Sequence, residues 1–352
     1  MFEITAEQDT ARAGVLHTRH GNIETPVFLP VATKGAIKTL TPGEAWHTGS
    51  RMLIVNSLHL YRRGMPRIQR AGGIHAFMQW DGAIVSDSGG FQLIKQFPCD
   101  IVPEGVQFTM PDGTLDIFTP EKSIKVQEQL GVDIALALDD CPSYPAKPDR
   151  VATAVDTTIA WAERCQGPDR FAILQGGALE EERVRCARAI ADMDFDGYAI
   201  GGLCIGEPQE AMHRMVEVTL PHLPKEKPRH LMGVGSPEDI WRGVAAGVDI
   251  FDSAYPTRNA RHGTIFTSQG RINLGRAKAT GDVIDETCEC YACRHFSLDY
   301  LNHLFREKDP LGARLATIHN LTHVNRVVAA ARECILAGKT LKTEEGIQFD
   351  AV

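Results

Sequence analysis

Short apolar runs that end in polar residues or glycine recur along most of this chain. Such a run, closed by a turn signal, is typical of a strand that is buried on both faces. The pattern predicts eight strands, at Pro26–Pro30, Met52–Val55, Ala83–Val85, Ile134–Leu138, Phe171–Leu174, Tyr198–Ile200, Leu231–Met232 and Val248–Phe251.

Helix-like segments separate most of the predicted strands. Two of them begin with a capping residue, a proline and an acidic residue, which is the usual order at a helix N-terminus; these are Thr119-Pro120-Glu121 and Ser236-Pro237-Glu238. The predicted helices are Pro120–Leu130, Val151–Cys165, Glu180–Asp192, Pro208–Leu220 and Pro237–Ala246, with a further apolar helix at Val324–Ala337.

The alternation of eight strands with helices predicts an α/β protein with a (β/α)8 TIM barrel. A doubly wound sheet is the alternative, and it would bind a ligand at one switch point. Polar residues follow nearly every predicted strand, which favours the barrel, because all its strand ends meet on one face. Each of these polar residues alone could be a cap or a turn residue. Together they predict one pocket, lined by Asp87, Asp139, Gln175, Gly202 and Asp252.

Length and composition restrict the class of protein. At 352 residues and 43% hydrophobic, the chain can bury a barrel-sized core. No apolar run approaches membrane-spanning length, and the first ten residues, MFEITAEQDT, do not form a signal peptide. Most of the nine cysteines stand alone, so we expect a reduced, cytoplasmic protein without a membrane partner.

The segment from Ser253 to Gly281 departs from the charge balance of the chain. The whole sequence has a formal net charge of −8, which argues against indiscriminate coating of nucleic acid. A solvated basic loop would explain the charge of this segment, but the carboxylate of Asp252 directly before it indicates chemistry on a polyanion. The segment contains no acidic residue, and its basic residues are Arg258, Arg261, Arg271, Arg276 and Lys278.

Three cysteines lie close together near the C-terminus, in the pattern CxCxxC. With one imidazole, three thiolates make a closed tetrahedral zinc site of the structural kind. Spacing alone does not decide which histidine completes it, and an iron–sulfur cluster with Cys334 as fourth ligand is a lesser alternative. The residues concerned are Cys288, Cys290 and Cys293, followed by His295, His303, His319 and His323.

The position of these cysteines also bears on domain organisation. They follow the eighth predicted strand and precede the predicted helix at Val324–Ala337. We therefore expect a single barrel domain over residues 1–352, with a zinc-binding subdomain at about 282–323 inserted in the last βα unit.

Seven motifs give the chain a family resemblance over almost its whole length. They are SDSGGFQ, LALDDC, ILQGG, FDGYAIGGL, HLMGVGSPEDI, FDSAYPTRNAR and CECYAC with His319-Asn320. Together they closely resemble the tRNA-guanine transglycosylases of the bacterial type. The resemblance implies a zinc-bearing (β/α)8 barrel that acts on tRNA with a GUN anticodon. In that family, the wobble guanine is exchanged for a 7-deazaguanine precursor of queuosine, and members commonly act as homodimers.

The resemblance also implies roles for the two central carboxylates. Asp252 would be the nucleophile that attacks the ribose C1′, and Asp87 would be the general acid/base. The chemistry parallels that of a retaining glycosidase, in which two carboxyl groups lie roughly 5 Å apart. We therefore expect double displacement with retention at C1′.

Further residues are implied to bind the base and the RNA. Asp139 would accept from the ring N–H and the amine, Gln175 and the Gly202 amide would bind the carbonyl oxygen, and Asn56 and Ser88 would lie near the ribose. Phe91 would stack on the base, and the Leu203 backbone would meet the 7-substituent. The remaining implied substrate residues are Gly89 and Gly90. The implied RNA contacts are Gly233, Val234, Gly235, Ser236, Pro237, Glu238, Asp239, Thr257, Arg258, Asn259, Ala260 and Arg261, and the implied zinc ligands are Cys288, Cys290, Cys293 and His319.

Departures from the family pattern leave alternatives open. Ser253-Ala254 stand where cysteine and a larger apolar residue are expected, which could alter how the RNA loop seats. Ile205 is bulky where queuine-using relatives have a small residue, so 7-aminomethyl-7-deazaguanine is favoured over queuine. The alternative hypotheses for the function are a transglycosylase that uses queuine or a cyano-deazaguanine at another site, a non-catalytic tRNA-binding subunit, and a metal-dependent hydrolase. The last would need an open coordination position.

Overall fold

Eight parallel strands form a barrel at the centre of the computed structural model, which describes residues 2–91, 94, 98–110, 112–276 and 283–342. The strands are β1 (Phe2–Gln8), β2 (Ala11–Thr18), β3 (Gly21–Thr25), β4 (Val27–Pro30), β5 (Met52–Asn56), β6 (Ala83–Asp87), β7 (Cys99–Val102), β8 (Gly105–Thr109), β9 (Leu115–Phe118), β10 (Ile134–Leu136), β11 (Arg170–Leu174), β12 (Gly197–Ile200), β13 (Arg229–Leu231), β14 (Ile250–Ser253), β15 (Thr264–Thr267) and β16 (Gly270–Asn273).

The barrel strands are paired in the order β4-β14-β13-β12-β11-β10-β6-β5. The ring closes between β4 and β5, where Val31 bridges to Ile54 and the amide of Ala32 donates to the Ile54 carbonyl over 2.8 Å. All eight predicted strands are present, with bounds that differ by no more than two residues. The predicted (β/α)8 barrel is therefore confirmed.

Alternate residues of the barrel strands fill its interior, because successive side chains of a strand point to opposite faces. Leu16 and Ile23, from the antiparallel β1–β3 sheet, pack against this layer at the end of the barrel where the strands begin. On each barrel strand, the side chains that alternate with these interior residues face outward and pack under the helices. The inner layer consists of Val27, Leu29, Met52, Ile54, Ala83, Val85, Ile134, Leu136, Phe171, Ile173, Ala199 and Ile250.

Helices cover the outside of the barrel. Five were predicted between strands, and their observed bounds differ from the prediction by no more than three residues. In the described ranges, no helix is long and apolar enough to span a membrane. The helices are Pro42–His47, Ser57–Arg63, Met65–Arg70, Ile74–Met78, Pro120–Leu130, Pro148–Glu163, Glu180–Ala191, Gln209–Thr219, Pro237–Ala246, Tyr255–Arg261, Tyr291–His295, Leu298–Arg306 and Pro310–Leu336.

The last helix is much longer than predicted. It begins at Pro310 rather than Val324, because the Asp309 side chain caps it by accepting from the Leu311 amide. Its first half includes buried polar residues such as His319 and Asn320, so it lacks the apolar pattern that marked the second half. The correction matters because it places His319 on a rigid element rather than in a loop.

Three smaller antiparallel sheets were not predicted. They are the β1–β3 sheet before the barrel, the β7–β9 sheet between β6 and β10, and the β15–β16 hairpin after β14. The hairpin separates the eighth barrel strand from the cysteine-rich segment.

Candidate active site

Polar side chains continue the inner layer at the end of the barrel where the strands finish. On four strands, a polar residue stands two positions after an apolar interior residue, so the same alternation turns it inward. These residues are Asn56 at the end of β5, Asp87 at the end of β6, Gln175 directly after β11, and Asp252 on β14. The predicted convergence of Asp87, Gln175 and Asp252 on one end of the barrel follows from this register.

Asp252 is held through one of its two carboxylate oxygens. Its Oδ1 accepts from His230 Nε2 over 2.8 Å and, more weakly, from the Gly233 amide over 3.4 Å. Its Oδ2 makes no hydrogen bond to any of the described residues. The side chain is 11% exposed, so Oδ2 is the oxygen left for a substrate.

His230 was not among the predicted site residues. It lies on β13, its side chain is fully buried, and its Nδ1 has no hydrogen-bond partner in the described ranges. Since Asp252 Oδ1 can only accept, Nε2–H is assigned as the donor of this hydrogen bond. If the strand had been predicted to begin at Arg229 instead of Leu231, the alternation of side chains would have placed His230 on the interior face, beside the carboxylate of Asp252.

Asn56 orients Asp87 across the β5–β6 pair. The two residues are partners in register, and Asn56 Nδ2 donates to Asp87 Oδ2 over 3.0 Å. Asn56 is itself fixed, because its Oδ1 accepts from the His59 amide and so caps the helix Ser57–Arg63. The amide therefore presents its N–H group to Asp87 in a set direction.

Asp139 lies at the centre of the predicted base pocket. Its Oδ1 accepts from Ser88 Oγ over 3.2 Å, and its Oδ2 accepts from Gln175 Nε2 over 2.7 Å. Burial raises the pKa of Asp139 to about 7, and the charge of Asp87 adds to the effect. Two other predicted substrate residues, Ser88 and Gln175, thus each contact Asp139 directly.

The glycines of the pocket allow close approach of the backbone. A Cβ at Gly90 would lie 2.7 Å from the Asp139 carbonyl oxygen. Gly202 has a φ of +65°, and a Cβ there would lie 2.2 Å from Gln175 Oε1. A side chain at either position would displace the groups that form the pocket.

Phe91 is half-buried and directly follows Gly90, while Leu203 is buried beside Gly202. Ser88 is buried, and Gly89 adopts a φ of +88° against Leu58. The predicted motif also includes Gln92, and the predicted basic segment includes Lys278; both lie outside the described residues.

Most side chains of the predicted RNA loop Gly233–Asp239 have structural roles. Ser236 Oγ caps the helix Pro237–Ala246 by accepting from the Asp239 amide, and His213 Nε2 contacts the Asp239 carboxylate over 2.8 Å. Val234, Gly235, Ser236 and Pro237 are buried. The exposed residues of this loop are Gly233 and Glu238.

The second predicted RNA segment presents two arginines. Arg258 is exposed and Arg261 is half-buried, one turn apart on the helix Tyr255–Arg261. Burial lowers the pKa of Arg261, and the charge of Arg258 lowers it further. Thr257 and Ala260 are buried, and Asn259 is half-buried. The segment therefore offers a small positive surface on one side of the helix.

Ser253 links the two loops next to Asp252. Its hydroxyl donates to the Gly233 carbonyl over 2.9 Å and accepts from the Tyr255 amide over 3.1 Å. A Cβ at Gly235 would lie 2.5 Å from that of Ser253. A residue larger than serine would therefore crowd this contact.

Near the C-terminus, three thiols and one imidazole converge in a buried cluster. Their ligand atoms all lie within 4.8 Å of one another. His319 Nδ1 is 3.2 Å from Cys293 Sγ and 3.7 Å from Cys290 Sγ, while its Nε2 is 2.6 Å from the Phe266 carbonyl oxygen. Hydrogen bonds within the cluster lower the pKa of Cys288.

This donor set fits a metal ion. An imidazole that donates Nε2–H to a carbonyl turns its Nδ1 lone pair to the ion, as second-layer contacts of metal sites do. Three sulfurs and one nitrogen suit zinc in a four-coordinate site. The cluster consists of Cys288, Cys290, Cys293 and His319, and it could hold a metal ion of this kind.

Comparison with known proteins decides the family. A sequence model of the queuine tRNA-ribosyltransferase family matches residues 7–348. The chain belongs to this family. The chain is 46% identical over 344 residues to a queuine tRNA-ribosyltransferase of Thermoanaerobacter pseudethanolicus, covering 94% of this chain and 92% of the relative. It is 44% identical over 346 residues to that of Desulforamulus reducens, covering 95% and 94% of the two chains.

A third relative extends the range of bacteria. The chain is 44% identical over 345 residues to the queuine tRNA-ribosyltransferase of Thiobacillus denitrificans, covering 95% of this chain and 94% of the relative. The family resemblance read from the motifs is thereby confirmed, and the protein is a tRNA-guanine transglycosylase. Membership implies that it acts on tRNA and a free base.

Proposed function

We propose that this enzyme exchanges the wobble guanine of tRNA with a GUN anticodon for 7-aminomethyl-7-deazaguanine, through a covalent ester between Asp252 and the ribose C1′. The observation that supports it most is the state of Asp252. One oxygen is fixed by His230 and Gly233, and the other is left without a partner among the described residues. An oriented carboxylate with a free oxygen is what nucleophilic catalysis requires.

The first displacement releases guanine. Asp252 Oδ2 attacks C1′ on the face opposite the base, and the C1′–N9 bond breaks with its electron pair passing to guanine. Asp87 donates a proton to the departing guanine, so that it leaves as a neutral base. Asn56, which donates to Asp87 Oδ2, keeps the acid oriented during this step.

The second displacement reverses these roles. Asp87, now a carboxylate, removes the N9 proton of the incoming base. N9 attacks C1′ while the ester bond to Asp252 breaks, which restores the carboxylate. Two inversions give retention at C1′, as in retaining glycosidases. The RNA chain stays intact throughout.

Base recognition is assigned to the pocket around Asp139. Its carboxylate would accept from the ring N–H and the exocyclic amine of guanine, while Gln175 and the Gly202 amide would donate to the carbonyl oxygen. Phe91 would stack on the base, and the Leu203 backbone would meet the 7-substituent. Ile205, which is half-buried two residues after Leu203, favours the small aminomethyl group over the larger queuine side chain.

The tRNA would bind across the Arg258–Arg261 surface, with phosphates beside the two guanidinium groups. The target nucleotide must leave its stack to reach a carboxylate that is 11% exposed.

We further propose that the Cys288 cluster holds one structural zinc per chain within a subdomain at about 282–323 of a single barrel domain. Such a zinc would cross-link its four ligands and leave no coordination position for a substrate.

A homodimer and a cytoplasmic location complete the proposal. Both rest on the family resemblance and on the cysteine content, since tRNA is the substrate and most cysteines stand alone in the sequence. Sedimentation of the purified protein would test the dimer.

Incorporation of labelled guanine tests the reaction. The wild-type enzyme is expected to incorporate guanine into an unmodified tRNA with a GUN anticodon, and not into the same tRNA with adenine at the wobble position. Incorporation that survives the replacement would move the target elsewhere in the RNA. Binding of tRNA without any incorporation would favour a non-catalytic subunit. Chase of the label by 7-aminomethyl-7-deazaguanine, and not by queuine, would support the assigned base.

The affinity for guanine is expected to increase with pH. The pKa of Asp139 is raised to about 7, so below that pH most of the carboxyl groups carry a proton and cannot accept from both N–H donors of the base. KM for guanine should therefore fall by about tenfold per pH unit on approaching neutrality and level off above it. Steady-state kinetics at several pH values would show this. The Asp139→Asn variant, which cannot ionise, should have a raised and nearly flat KM; a flat wild-type profile would contradict the assignment.

A further inference from the structure

Arg183 is a fully buried arginine behind the base pocket. It lies on the helix Glu180–Ala191, which packs on the outside of β11. Its guanidinium makes no salt bridge with a carboxylate in the described part of the chain; its hydrogen bonds all go to backbone carbonyls. Burial lowers the pKa of Arg183 to about 10, so the group remains charged at neutral pH. A buried charge without a counter-ion is costly and calls for a specific role.

The carbonyls that Arg183 binds belong to the loops that form the pocket. Nη1 donates to the Gly201 carbonyl over 2.7 Å, and Nη2 donates to the Gly202 carbonyl over 3.2 Å. Nε donates to the Gly177 carbonyl over 2.8 Å, in the loop that follows Gln175. One side chain therefore ties the loop after β11 to the loop after β12.

The bound carbonyls determine where the neighbouring amides point. The peptide bonds after Gly201 and Gly202 are trans, and in a trans peptide the C=O and N–H groups point in opposite directions. Since both carbonyls face Arg183 on the outside of the barrel, the N–H groups of Gly202 and Leu203 face its interior. Neither N–H group makes a hydrogen bond to another described residue.

We propose that Arg183 is a positioning residue for base recognition, which aims the amides of Gly202 and Leu203 at the carbonyl oxygen of the purine. The inference rests on the proposed function, because it assigns the ligand of these amides. A positive charge on the carbonyl side also polarises each peptide and strengthens its N–H as a donor. The arrangement resembles an oxyanion hole, in which preorganised amides bind an oxygen without reorganisation.

The test compares guanine with 2-aminopurine, which lacks both the carbonyl oxygen and the neighbouring ring N–H. In the Arg183→Met variant, KM for guanine in the exchange reaction is expected to rise by about 10- to 100-fold, with kcat changed by less than about threefold. The inhibition constant of 2-aminopurine should change by less than about threefold, because this base offers no oxygen to the amides. Arg183→Lys should have an intermediate effect, since an ammonium keeps the charge but cannot bridge all the carbonyls.

Arg185→Met provides the matched control on the same helix. Its guanidinium is 40% exposed and pairs with Asp156 and Glu182, so its loss should leave both bases unaffected. Equal weakening of guanine and 2-aminopurine in Arg183→Met, or no change in either, would overturn the proposal. Should the methionine variant fail to fold in thermal unfolding, Arg183→Lys carries the same comparison. If the wild type transfers no guanine, the proposed reaction fails, and calorimetric binding of the two bases to the variants still tests Arg183.

Discussion

Replacement of Asp252 by asparagine is expected to reduce guanine exchange by about 10⁴-fold or more and to abolish the covalent tRNA complex. The introduced amide side chain is nearly isosteric and can still accept from His230, but it lacks the charged oxygen that would attack C1′. Incorporation of labelled guanine under single-turnover conditions would measure the loss. A denaturing gel of enzyme mixed with tRNA would show the covalent complex in the wild type and its absence in Asp252→Asn.

Asp169→Asn is the matched control for this substitution. Asp169 is exposed, directly precedes β11 at the opposite end of the barrel, and has a φ of +57° that asparagine also tolerates. Its activity should equal that of the wild type. A covalent complex that persists in Asp252→Asn would place the nucleophile on another residue.

Substitution of His230 tests how much the orientation of the Asp252 carboxylate, as distinct from its presence, contributes to the reaction. His230→Phe keeps Asp252 but removes the hydrogen-bond donor to its Oδ1. Because a phenyl ring cannot donate, the carboxylate is then free to rotate. We expect a loss of about 10- to 100-fold in kcat, far less than in Asp252→Asn, with the covalent complex still formed. A loss as large as that of Asp252→Asn would instead give His230 a direct part in the chemistry.

The strands of the barrel could be predicted from the sequence because each is buried on both faces. Runs such as Met52–Val55 have no polar residue to obscure them. The β1 strand, Phe2–Gln8, alternates between half-buried and exposed positions. It was missed because its polar residues interrupt the continuous apolar run by which the barrel strands were predicted. The first turns of the helix Pro310–Leu336 were missed for the related reason that buried polar residues, including His319, interrupt the apolar pattern.

The site was predictable as far as strand ends mark it. Asp87, Gln175 and Asp252 follow apolar runs, so a barrel places them together. His230 was missed because it stands within a strand, where a buried histidine has no local signal. Likewise, Ser236 followed by Asp239 is compatible with an RNA-binding loop and with a helix cap, and only the structure shows that the two side chains form a hydrogen bond with each other.

In the cluster at Cys288, the spacing of residues in the sequence could not predict which residue is the fourth ligand. Four histidines follow the CxCxxC motif, and three-dimensional placement brings only His319 into the cluster among the described residues. Cys334, the candidate fourth ligand of an iron–sulfur cluster, lies on the same helix as His319, about 22 Å further along at the rise of an α-helix. It cannot reach the three thiols, so a site with three cysteines and one histidine is favoured.

Loss of the proposed zinc is therefore expected to destabilise the protein without removing a catalytic group. The cluster joins the segment Cys288–Cys293 to the helix Pro310–Leu336, and His319 also contacts the Phe266 carbonyl of β15. In Cys293→Ser we expect zinc content to fall from one per chain to nearly none, and the melting temperature to fall by roughly 5 °C, as a loss of about 4 kcal/mol would give in a chain of this length. Elemental analysis and thermal unfolding would measure both, with Cys334→Ser as the unchanged control. Visible absorbance typical of an iron–sulfur cluster, or full stability without zinc, would contradict a structural zinc; exchange that fails while Cys293→Ser stays folded would instead give the metal a part in the reaction.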